Sequence, residues 1–89
     1  MIHKLKIEKA FIEPILYHEK NFEIRKNDRG FQKGDIIHFQ PLFSEKLESS
    51  MEEKELMMEI ANKEYEITYV MNGYGLENGY VVFGIEEVI

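Results

Sequence analysis

Eighty-nine residues leave room for one core, so residues 1–89 are read as a single domain. With 44% hydrophobic and 12% aromatic residues the chain is built to fold rather than stay disordered. The absence of cysteine excludes a disulfide framework, a zinc ribbon and thiol catalysis, and a net charge of −6 argues against indiscriminate nucleic-acid binding. No apolar run approaches the roughly 20 residues a membrane span needs. Lys4 and Lys6 interrupt the opening apolar residues, so no signal peptide is expected and the cytoplasm is the expected compartment. Charge is also unevenly spread. Residues 1–34 carry eight Lys/Arg against five Asp/Glu, or +3, whereas residues 35–89 carry three against twelve, or −9. A small basic pocket on an acidic body suits a small or single-stranded ligand better than a duplex backbone.

The chain opens with His3, Leu5 and Ile7 alternating against Lys4 and Lys6, the period of a strand. Lys9 to His18 reads as a short helix with Phe11, Ile12, Ile15 and Leu16 as its apolar stripe. Pro14 removes a hydrogen bond from a helix interior, so a kinked or late-starting helix with Pro14 in its first turn is expected. Lys20 to Lys26 is the second strand, with Phe22 and Ile24 expected to face the core and Glu23 and Arg25 the other side. Asn27 to Gly30 and Lys33-Gly34-Asp35 are turn signals, and Ile36 to Gln40 is the third strand. Five Glu between 45 and 55 suggest a mobile acidic loop. Leu56, Met58 and Ile60 alternate and predict a strand over Leu56–Ala61, in a hairpin with Tyr65, Ile67 and Tyr69. A rival reading begins a helix at Ser50, with Glu53 completing a capping box and Leu56, Met57 and Ile60 as its stripe. Val70 to Asn78 is a glycine-bearing loop, and Tyr80 to Val88 the last strand, apolar on both faces as in the middle of a closed sheet. The tally is an α+β domain of five or six strands with one short N-terminal helix.

The densest chemistry lies in His18–Asp35, HEKNFEIRKNDRGFQKGD, where nine charged side chains surround Phe22, Ile24 and Phe31. Lys and Arg offer charge-assisted donors for phosphate. Glu23 can accept from a base amino group, and Asn27 can both donate and accept. Tyr74 and Phe31 offer rings on which a base could stack. The plain alternative is a solvated strand face with a Glu23–Arg25 ion pair, worth about 1 kcal/mol or less.

This stretch resembles the DUF3850 family, small bacterial and phage domains of the ASCH branch of the PUA-like superfamily. The family pattern runs approximately G-x-K-T-F-E-I-R-K-N-D-R-x-F-x-x-G-D. Lys20, Phe22 to Arg29, Phe31 and Gly34-Asp35 stand in register with it. His3-Lys4-Leu5-Lys6-Ile7 is similar to the family's H-x-L-K-I opening, and Gly79 to Ile85 to its G-Y-V-V-L-G-I close. The match is weak across residues 40–64. The chain departs from the pattern just before the strand, with His18-Glu19 where the family has its Gly and Asn21 where it has Thr. The resemblance implies a small PUA-like β-pseudobarrel and a module that binds RNA or a nucleotide. On that reading the ligand-binding residues are Lys6, Lys20, Glu23, Arg25, Asn27, Arg29 and Tyr74.

Two other functions compete. Some relatives in the ASCH branch are amidohydrolases of acylated cytidines, using a Lys after the helix, a Thr three residues on and a distant Glu. Lys20 matches the Lys, but Glu23 stands at the Thr position, so Lys20 and Glu23 are the catalytic candidates only if a carboxylate activates water. The third reading is a phage-type protein-interaction module, in which the acidic 45–55 run meets a partner or folds over the basic pocket and gates it. His3, His18 and His38 do not make a metal-ligand spacing, and neither metal nor cofactor is expected.

Overall fold

The alternation at the start of the chain becomes strand β1, Ile2–Ile7, in the computed structural model, which describes residues 1–42 and 50–89. His3, Leu5 and Ile7 are buried while Lys4 and Lys6 are exposed. Helix α1, Lys9–Leu16, follows and buries Ile12 and Ile15. Pro14 sits inside α1 and not in its first turn. The helix ends within a turn of it, and the Pro14 carbonyl accepts from the N–H groups of Glu19 and Lys20 beyond the end.

Four more strands complete one sheet: β2 Phe22–Lys26, β3 Ile36–Pro41, β4 Tyr65–Met71 and β5 Tyr80–Glu87. Their spatial order is β1-β3-β4-β5-β2. β1 runs parallel to β3, with Ile2 opposite Ile36, and every other pairing is antiparallel. β5 lies between β4 and β2, which explains an apolar run on both its faces. The β4–β5 register slips between Ile67 and Tyr69, and such a bulge adds local twist. Gly84 faces it: a Cβ there would lie 2.6 Å from Thr68 Oγ1. The sheet curls into a half-barrel whose two edges are β1 and β2. Ile7, Ile15, Ile37, Phe39, Ile60, Ile67 and Phe83 are the largest fully buried side chains of the core it wraps.

Two expectations are overturned. Residues 56–61 are not a strand but the end of a second helix, α2, Met51–Ala61. The capping box decides it: Ser50 Oγ accepts from the Glu53 N–H at 3.1 Å, and Glu53 reaches back to the Ser50 N–H. Met, Leu, Glu and Lys dominate the segment, and all are good helix formers. Met57 and Ile60 are buried, whereas Met58, which the strand pattern placed with Leu56 and Ile60, is 64% exposed. β4 consequently pairs with β3 and β5, not with 56–61. Of the acidic 45–55 run, residues 51–55 are the first turns of α2, and residues 45–49 lie outside the described residues.

The second reversal concerns β2. Glu23 is buried, while Phe22 and Ile24 are 40% and 52% exposed. The strand shows its charged face to the interior of the half-barrel and its apolar face outward, the opposite of the expected orientation. Period-2 alternation identifies which residues share a face but not which face is buried. Here two cations inside the half-barrel satisfy the acid and make the inverted orientation tolerable.

Candidate functional site

Four of the seven expected ligand-binding residues come together. Lys6, Lys20, Glu23 and Arg25 line one cleft of about 620 Å³, with Phe11, Phe22, Ile24 and Leu42 as its apolar rim. Each of those four rim residues is exposed. Sequence reasoning missed them as lining, because it assigned Phe11, Phe22 and Ile24 to the core.

Lys20 is placed by the end of α1. The His18 N–H donates to Ile15 O and the Glu19 N–H to Pro14 O, the paired bonds of a Schellman turn. His18 takes the left-handed conformation such a turn requires, at φ 60°. A glycine adopts that conformation without strain, and any other residue gives up about 1–2 kcal/mol. At the place where the chain departs from the family pattern the turn is thus a Schellman turn formed with a non-glycine residue, at some cost in strain.

From this turn the Lys20 ammonium lies over two rings, 4.6 Å from the Phe11 centroid and 5.4 Å from that of Phe22. It also contacts Glu23 Oε2 directly. Arg25 lies two residues along β2 and shares the inward face with Glu23. Its Nη2 is 2.8 Å and its Nε 3.3 Å from Glu23 Oε1. The same Nη2 donates to Lys6 O at 2.8 Å. Both Glu23 oxygens are thus taken, and its side chain is only 5% exposed, against 17% for Lys20 and 28% for Arg25. An apolar residue of similar volume would hold this part of the sheet as well as a buried ion triad. Stability by itself therefore does not account for the arrangement.

The spare hydrogen-bonding capacity points outward. Among the described residues, Arg25 Nη1 and Lys6 Nζ have no acceptor, and Lys20 uses one of its three donors on Glu23. The cleft carries three cations against two carboxylates, of which Glu23 is buried and already engaged and Glu8 is exposed at the margin.

The other expected residues lie elsewhere. Asn27 Oδ1 accepts from the Phe31 N–H at 3.1 Å, which shapes the β2–β3 loop, and its side chain lines a different cleft beside residues 72–81. Arg29 Nη1 donates to Lys4 O at 2.9 Å, on β1. Tyr74 is 92% exposed on the β4–β5 loop and does not line the Lys6–Arg25 cleft. Phe31 is no stacking platform. It is buried, with its ring 4.8 Å from those of both His3 and Phe83.

A second carboxylate centre escaped the sequence reading. Asp35 is buried at the start of β3, and its Oδ2 lies 2.8 Å from His3 Nε2 and accepts from the Gln32 N–H at 3.1 Å. The Met1 amino group stands 3.3 Å from Oδ1. Burial pushes the Asp35 carboxyl up, but the His3, Gln32 and amino-group contacts outweigh it and hold it below the ordinary 3.8. Among the described residues no group of three or more His, Asp or Glu gathers as metal ligands, and no helix is long and apolar enough to cross a membrane.

No curated protein matches the chain. Its fold is similar to the crystal structure of the hypothetical protein PH0355, with a TM-score of 0.61 at 16% identity, covering 99% of this chain and 100% of that one. At that identity the likeness concerns fold alone. The domain of unknown function DUF3850 matches residues 2–85, from the start of β1 into β5 across the whole signature stretch, and the chain belongs to the DUF3850 family.

Proposed function

We propose that this domain binds single-stranded RNA or a nucleotide in the Lys6–Lys20–Arg25 cleft, as a PUA-like pseudobarrel of the ASCH branch acting in the cytoplasm of a bacterium or a phage-infected cell. One observation carries the reading: three cations converge on a cleft whose buried acid Lys20 and Arg25 already satisfy, leaving Lys6 and the spare donors of the other two beside exposed rings. Such a site selects groups that only accept, namely phosphate oxygens and base carbonyls. Phe11 and Phe22, held by the Lys20 ammonium, supply stacking faces. A volume of about 620 Å³ is that of a small-ligand site, and the −6 charge of the whole chain disfavours a duplex. Glu23 organises the cations in this account, and Asn27, Arg29 and Tyr74 are not ligand contacts. Fluorescence anisotropy with a labelled short single-stranded RNA tests it. Lys6→Met should weaken binding several-fold and flatten its salt dependence, since a lost phosphate contact lowers the salt slope. Equal affinity and slope in both proteins would remove the cleft from consideration.

The direct Lys20–Glu23 contact favours a second reading, hydrolysis of an acylated nucleoside with Glu23 activating water. Incubation with acetylated cytidine distinguishes the two. Cytidine and acetate released by the unaltered protein, and not by Glu23→Gln, would establish an enzyme.

A further inference from the structure

β1 and β2 are the two edges of the sheet, and among the described residues no backbone hydrogen bond joins them. Two guanidinium groups span the gap instead. Arg25 Nη2 donates to Lys6 O at 2.8 Å, and Arg29 Nη1 donates to Lys4 O at 2.9 Å. Lys4 and Lys6 are alternate residues of one strand. The carbonyls of Met1 and Ile7 accept from Ile36 and Leu42 on the β3 side, so alternation turns those of Lys4 and Lys6 the other way, toward β2. The spacing of the two contacts is therefore that of a strand ladder, with side chains as the donors. Both arginines are anchored from behind, Arg25 by Glu23 and the Arg29 turn by the Asn27–Phe31 bond.

We infer that Arg25 and Arg29 close the half-barrel in place of a strand pairing, and that this seam is where the barrel opens. Arg29 is accordingly a positioning residue: by fixing Lys4 on β1 it holds the neighbouring Lys6 against the cleft. The consequence for binding rests on the functional reading given above. A ligand that engages Lys6 and Arg25 together spans both sides of the seam and holds it shut.

Amide hydrogen exchange on the ligand-free protein tests the seam. Arg29 is exposed, so Arg29→Gln should leave the fold intact. The amides of His3, Leu5 and Ile7, which alternation turns toward β3, should exchange about tenfold faster in Arg29→Gln, while those of β4 and β5 keep their rates. Unchanged β1 rates, or the same acceleration in every strand, would overturn the inference. In a second arm, saturating single-stranded RNA should slow β1 exchange in the unaltered protein. Acceleration by Arg29→Gln with no effect of RNA would uphold the seam and count against RNA as the ligand of the cleft.

Discussion

Glu23 and Asp35 are both buried acids beside a strand, each held by basic groups, yet their surroundings differ in one respect. The closest partner of Asp35 is itself sealed: the His3 side chain is 3% exposed and packs on Phe31. The partners of Glu23 reach the surface, Lys20 at 17% and Arg25 at 28%, and open onto a cleft. At Asp35 the hydrogen bonds tie the β3 entry turn to β1, so the charge is spent on the fold. At Glu23 the acid fixes two cations whose remaining donors face solvent. A buried charge alone does not mark a site; spare donors at the surface beside it do.

Removing each acid separates the two regions most sharply. Asp35→Ala should lose about 3 kcal/mol of stability, because the buried His3 ring loses its partner and the part-buried Gln32 N–H its acceptor. Glu23→Ala should lose less, about 1–2 kcal/mol, because Lys20 and Arg25 can turn to water, but it should also disperse the cations and weaken RNA binding. Urea unfolding measures both, and the reverse order would break the comparison.

Acid sharpens the same contrast. The Asp35 carboxyl lies below its ordinary 3.8, so its ionised form stabilises the fold above that pH, and the contribution drains away as pH falls through the lower folded value. Between pH 5 and pH 2 the unaltered protein should therefore lose more stability than Asp35→Asn, whose residue 35 does not titrate. Parallel curves would mean that Asp35 is not held in the ionised form.

Arg25→Lys probes the other region. It keeps the charge but not the fork that serves Glu23 and the Lys6 carbonyl together, and RNA binding should weaken about tenfold, or about 1.4 kcal/mol. The smallest effect concerns the turn that delivers Lys20. His18→Gly should stabilise the protein by about 0.5–1 kcal/mol by relieving the left-handed strain, offset in part by glycine's greater freedom when unfolded, with RNA affinity unchanged. A loss of stability would show that the His18 side chain contributes something the strain argument omits.

Much of this was legible in the chain itself. Strict alternation at His3, Leu5 and Ile7 identified the first strand, and the apolar run Tyr80–Phe83 a central one, though the edge position of the first was not legible. The charged signature marked β2, and three of the five ligand-binding residues assigned to it share one cleft, where Lys6 from β1 joins them. The facing of β2 was not legible. Phe22 and Ile24 satisfy a buried face on paper, and the inverted choice depends on Lys20, arriving from the α1 turn, joining Arg25 on the Glu23 carboxylate. Leu56–Ala61 carried two periods at once, and the local chemistry of Ser50 and Glu53 outweighed the alternation. Asp35 with His3 escaped notice because 32 positions separate them, and only the parallel β1–β3 pairing brings them together.

The most direct test of the central claim is an NMR titration of the isotope-labelled protein with a short single-stranded RNA. The account predicts saturable shifts at Lys6, Phe11, Lys20, Phe22 to Arg25 and Leu42, with His3, Asp35 and the Tyr74 loop unmoved. Shifts confined to the 72–79 loop, or none at saturating RNA, would contradict it.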